Sequence, residues 1–170
     1  LSTGSIVALS SNQLRALSTK QFGALTIDQL SNLKSNDVQY LTTAQLGALS
    51  GFKISSLNTN AIQNLNSTQV VGLTTAQVAS LSAAALSALS TAVLAVMTTK
   101  QIVALATSQV NGFSTTTLSA LTSNQISALE ARDVAVLSTG NILVLSSSQW
   151  RALTSIQVGA LTSGQLNSID

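Results

Sequence analysis

Apolar residues return along this chain at fixed places in an eight-residue cycle. Leu stands at positions 1, 9, 17 and 25 and at every eighth position onward, with Met97, Phe113 and Ile169 as the only replacements. The phase holds without insertion or deletion across 21 complete octads, and two residues of a further octad follow. Read by column, the octad is Leu, Ser/Thr, Ser/Thr, variable, Gln, Ile/Leu/Val, variable, Ala. Column six is apolar in all 21 octads, column five is Gln in 12, and column eight is Ala in 10.

These columns predict one helix start per octad. With the column-two Ser/Thr as N-cap, the column-five Gln lies three residues on, at capping-box spacing. The same frame puts the column-one Leu at N′ and the column-six Ile/Leu/Val at N4, the two ends of a hydrophobic staple. Leu73-Thr74-Thr75-Ala76-Gln77-Val78 and Leu121-Thr122-Ser123-Asn124-Gln125-Ile126 carry both signals. Ala, Gln and Leu then favour a helix of about six residues, from column three to column eight. Helices that short are marginal alone, since about 12–15 residues are needed in water. Stability must come from stacking on neighbouring repeats. The expected fold is therefore an all-α solenoid of very short helices, one per octad, running continuously over 1–170.

A β-solenoid is the alternative. Columns six and eight pointing in, with five and seven out, match the strand period of two. Nine Gly scattered over several columns cannot supply a tight corner per coil, and Ala is a poor strand former, so the helical reading is preferred. Taking two octads to a coil, and roughly 9 Å between packed helices, gives a rod of about 90 Å.

Charge sharpens the register. All twelve charged residues fall in columns two, four, five and seven. Ionised side chains are almost never fully buried without a partner, so columns one, six and eight are expected to face the core. Phe22, Phe113, Trp150 and Tyr40 belong to those columns and are expected to pack there. Phe52 is different, a large apolar group in the charge-tolerant column four, and it is the candidate contact residue.

Composition excludes much chemistry. Only 7% of residues are charged and 3% aromatic, against roughly 25% charged in an ordinary domain. Cys, His and Pro are absent, which removes disulfides, Cys/His zinc sites and any Ser–His dyad. The many hydroxyls have nothing obvious to activate them, so no enzyme, cofactor or metal site is expected. Glu130 and Asp133, the closest carboxylates, lie at a helix start, where anions are favoured for local electrostatic reasons. Isolated basic residues without interleaved aromatics give no nucleic-acid signature. The longest apolar run, residues 92–97, is six residues, against about 18–20 for a membrane span. No transmembrane segment is therefore predicted, and no signal peptide is visible.

The runs Leu-Thr-Thr-Ala-Gln-Leu-Gly-Ala at 41–48, Leu-Ser-Ser-Asn-Gln-Leu-Arg-Ala at 9–16 and Leu-Thr-Ser-Ile-Gln-Val-Gly-Ala at 153–160 resemble a known tandem repeat. They are similar to the L-T-T-x-Q-V-x-A arrays of very large secreted or surface-associated bacterial proteins of adhesin-like type. The resemblance covers the whole chain and implies an extracellular or cell-surface location. Octads 33–40, 49–56, 57–64 and 129–136 depart most, with Asp37, Lys53, Ala61 and Asp133 in place of Gln. The expected role is a structural segment of a longer array, a stalk or fibre whose partner is itself, end to end or laterally. The alternative is an adhesive module whose Ser/Thr face recognises a glycan or another surface.

Overall fold

The computed structural model describes residues 2–169, in two compact units, Leu1–Leu89 and Ser90–Asp170. Among the described residues there are twenty α-helices of four to six residues and one 3-10 helix, one per octad. The fold is an all-α solenoid of short helices, and the β-solenoid alternative does not hold.

One octad shows why the chain folds this way. Thr74 is in the extended region (φ −69, ψ 157), and its side chain accepts from the Gln77 N–H at 3.2 Å. The Thr74 N–H in turn donates to Gln77 Oε1 at 2.9 Å. Two amide donors that a helix start leaves open are thereby satisfied. The helix Thr75–Ala79 then closes on Ser80, whose N–H reaches Gln77 O, while the Leu81 N–H reaches Val78 O, both at 3.1 Å. Among the described residues no φ is positive. The chain therefore leaves most helices through a residue near the right-handed region, or runs directly into an extended Leu as at Leu17 and Leu129, and needs no left-handed glycine corner. Eleven of the twelve column-five Gln residues complete this reciprocal box. The twelfth, Gln109, makes half of it, because Ala106 has no side-chain acceptor.

Octad 33–40 is the exception that tests the rule. Lys34 replaces the hydroxyl in column two and makes no side-chain cap bond, and this segment, Ser35–Tyr40, is the 3-10 helix. Ala106 and Glu130 also lack a side-chain cap but begin α-helices, their N–H groups being held by Gln109 and Asp133 of column five. Octad 33–40 shows neither half of the box, and its first turn closes with the Asp37 N–H bonded to Lys34 O at 2.9 Å.

Within each unit the helices pack three octads apart. Thr75–Ala79 lies on Gly51–Ile54 and Ser67–Val71 on Thr43–Gly47 in the first unit; Ser147–Ala152 lies on Ser123–Ala128 in the second. A coil thus takes at least three octads. The two-octad coil, and the rod length that followed from it, are corrected by this packing. Column six is at most 2% exposed from Ile6 to Ile142, and column one is buried from Leu25 to Leu145. Each such Leu, Ile or Val contributes roughly 1.5–3 kcal/mol.

The third core column is five, not eight. No described column-eight residue is buried, and Tyr40 is 48% exposed. The reason is helical phase. Columns five and six are about 100° apart and share a face, whereas six and eight are about 200° apart. Phe22 and Phe113 are buried as expected, and Trp150 is half-buried.

Candidate functional site

The recurring polar feature of this chain lies inside it. Seven Gln side chains reach back with both amide hydrogens to a pair of main-chain carbonyls 31 and 28 residues earlier. Gln77 Nε2 donates to Leu46 O at 2.8 Å and Leu49 O at 2.7 Å. Gln125 reaches Leu94 O and Met97 O at 2.9 and 2.7 Å, and Gln165 reaches Val134 O and Leu137 O at the same two distances. The paired acceptors lie in columns six and one, at the end of a short helix; the column-six carbonyl also takes the N–H of the next Leu or Met, whereas the column-one carbonyl has no helical donor of its own. One side chain therefore caps the start of its own helix and closes the end of another. These amides are 1–4% exposed, so each bond is made where an unpaired carbonyl would be costly.

The departing octads meet the same need with other groups. Lys53 Nζ donates to Gly23 O at 2.6 Å. Asn141 Nδ2 donates to Phe113 O at 3.0 Å. Beside Ala61, which has no polar group, Asn58 reaches Ser31 O and Ser35 Oγ. Asp133 is fully buried and can only accept, so the Thr107 hydroxyl donates to it at 2.8 Å and the Glu130 N–H at 3.1 Å. That N–H bond is the local helix-start role expected of this carboxylate. Glu130 itself pairs with Arg132 on the surface. Coils approach closely at a few points. A Cβ on Gly51 would stand 2.3 Å from Ser80 Oγ and 3.1 Å from Ala76 O.

Sequence reasoning missed this inward role because capping alone accounted for Gln, and because charges in column five argued against burial. A signal was present. A capping box takes Glu as readily as Gln, yet column five holds 12 Gln and no Glu. Only the amide can both accept from the cap and donate to carbonyls.

The outer surface carries the remaining candidates. Phe52 is 73% exposed, as its column implied. Ile156, in the same column and 74% exposed, was overlooked, as were Leu143 and Val103 at 60% and 49%. Most column-two hydroxyls are engaged as caps. Thr42, Thr43, Asn66, Ser67 and Thr68 line a shallow depression between two helix starts. Among the described residues no three His, Cys, Asp or Glu side chains come together, and no helix is long and apolar enough to cross a membrane.

A family model of the ALTTAQ repeat matches residues 1–35, 54–83 and 126–163, more than half of the chain. The chain belongs to the ALTTAQ repeat family. The ALTTAQ geometry also extends between the matched stretches: helix Thr99–Val103 has the same reciprocal cap, and Gln45 makes the same pair of carbonyl bonds. A comparison with curated proteins gives no significant match.

Proposed function

We propose that this ALTTAQ chain is a non-enzymatic structural segment outside the cell, a stalk or fibre element whose principal partner is more of itself. The observation that supports this most is the use of its polar side chains. The cap hydroxyls and the buried Gln amides are directed at the chain's own backbone, repeat after repeat. The extracellular placement draws on the resemblance to arrays in large secreted and surface proteins. Antibody against the chain, applied to intact cells that express it, tests the placement. Surface label that external protease removes is the expected result; label that appears only after permeabilisation overturns it.

A second reading is an adhesive module. It is favoured by the hydroxyl-lined depression at Thr42, Thr43, Ser67 and Thr68 and by the exposed rings and branched chains at Phe52 and Ile156. Binding on a glycan array, weakened by Phe52→Ser, would support it. An array with no hits would remove its chief motivation.

A further inference from the structure

Gln keeps to column five in this chain with two exceptions. Of 14 Gln residues, 12 stand in that column; the other two, Gln39 and Gln63, are in column seven, 24 residues apart. That is the spacing at which helices stack within a unit, and Ser35–Tyr40 packs on Thr59–Gln63. The Ser35 hydroxyl donates to Asn58 Oδ1 at 3.3 Å across the same junction. Both octads also lack the inward amide, with Asp37 and Ala61 in column five. Here the carboxamide has moved from the interior to the surface.

Columns four, seven and eight follow one another at i, i+3 and i+4, so they share a helix face. In octad 33–40 they hold Asn36, Gln39 and Tyr40; in octad 57–64 they hold Asn60, Gln63 and Asn64. All are exposed except Asn64, which is half-buried. Two amides are braced by their own turn: Gln39 Nε2 donates to Asn36 O at 2.9 Å, and Asn64 Nδ2 to Asn60 O at 2.8 Å. Each keeps its carbonyl oxygen and a second N–H for another molecule. Among the described residues the Asn36, Asn60 and Gln63 amides and the Tyr40 hydroxyl have no internal partner. Lys34 and Asp37 are the only charges in the two octads, and they cancel.

Carboxamides offer donors and acceptors side by side without charge. That matches the hydroxyl pairs of a neutral sugar and matches neither a polyanion nor a polycation. The Tyr40 ring, in the only tyrosine of the chain, adds an apolar face with a polar edge, suited to the C–H face of a pyranose. We infer that the outer face of octads 33–40 and 57–64 binds a neutral polysaccharide. The Tyr40 ring lies against one sugar, and the Asn60 and Gln63 amides bond hydroxyls of another. Helices packed about 8–10 Å apart call for a ligand of linked rings, not a single sugar.

This deepens the adhesive reading and rests on it, but moves the contact away from Phe52 and the hydroxyl-lined depression. Biolayer interferometry of the full chain on immobilised polymers tests it. The neutral probes are a β-glucan, an α-mannan and chitin oligomers; heparin and gelatin are the polyanion and the polypeptide. At least one neutral probe is expected to hold the chain, and its free oligomer to compete better than its monosaccharide. Tyr40→Ser and Gln63→Ala, both at exposed positions and with the fold verified by circular dichroism, are each expected to weaken that binding about three- to tenfold. Asn124→Ala, an exposed column-four change in the second unit, is expected to leave it unaltered. No binding to any neutral probe, binding to heparin or gelatin alone, or variants at Tyr40 and Gln63 that bind like wild type would each overturn this face. Neutral binding that survives both variants rejects this face alone and leaves the adhesive reading standing; absence of all neutral binding rejects both.

Discussion

Replacing Gln77 with Leu separates the two roles of the column-five amide. Leu matches Gln in bulk, so no large cavity opens, but it cannot accept from the Thr74 N–H or donate to Leu46 O and Leu49 O. Leu46 O keeps the Leu49 N–H at 3.1 Å, so it loses one of two partners, whereas Leu49 O loses its 2.7 Å bond. With each buried hydrogen bond contributing about 0.5–1.5 kcal/mol net, and an unpaired buried carbonyl costing about 1–3, the loss is roughly 2–4 kcal/mol. Gln13→Leu is the internal control. It breaks the same capping box, with Ser10, but among the described residues Gln13 Nε2 has no carbonyl to lose, so the loss is about 1 kcal/mol or less. Urea unfolding monitored at 222 nm gives both values, and hydrogen exchange localises them, which matters because repeat arrays need not unfold in one step. Equal losses at the two positions would refute the inter-coil role, because capping would then account for the whole effect.

Other substitutions probe the departures from the repeat. Lys34→Thr restores an N-cap in the octad that forms the 3-10 helix Ser35–Tyr40, and is expected to stabilise by about 1 kcal/mol and raise the 222 nm signal. Thr107→Val removes the hydroxyl that holds buried Asp133, with an expected loss of about 1–3 kcal/mol in urea unfolding. Asp133→Gln is expected to raise Tm, because an amide there can donate to the carbonyls of Ile102 and Leu105. Phe52→Ser, at a side chain 73% exposed, should leave stability within about 0.5 kcal/mol by the same assay; a larger loss would make Phe52 a packing residue.

Much of this architecture was legible because each octad repeats the same local signals. The cap and staple positions fixed the helix starts, and the unbroken Leu and Ile/Leu/Val columns identified two of the three buried positions. What failed was the inference from residue type to burial. Ala in column eight is apolar and small, yet it lies on the far side of the helix from column six. Gln in column five is polar and shares its column with Lys53 and Asp133, yet it is buried because its donors meet carbonyls from another coil. The coil size followed the same divide. It is set by contacts between residues 24 or more apart, to which an eight-residue pattern is blind. On the surface, Phe52 was visible as an apolar residue among charges, while Ile156 shared its column without drawing attention.

The reach of the Gln side chains is the most direct measure of the whole arrangement. Nuclear Overhauser contacts from selectively labelled Gln side-chain amides should place Gln77 beside Leu46 and Leu49, and Gln157 beside Ile126 and Leu129, 31 and 28 residues back. Amide contacts confined to each Gln's own octad, or made to residues about 16 positions away as a coil of two octads would require, would contradict it.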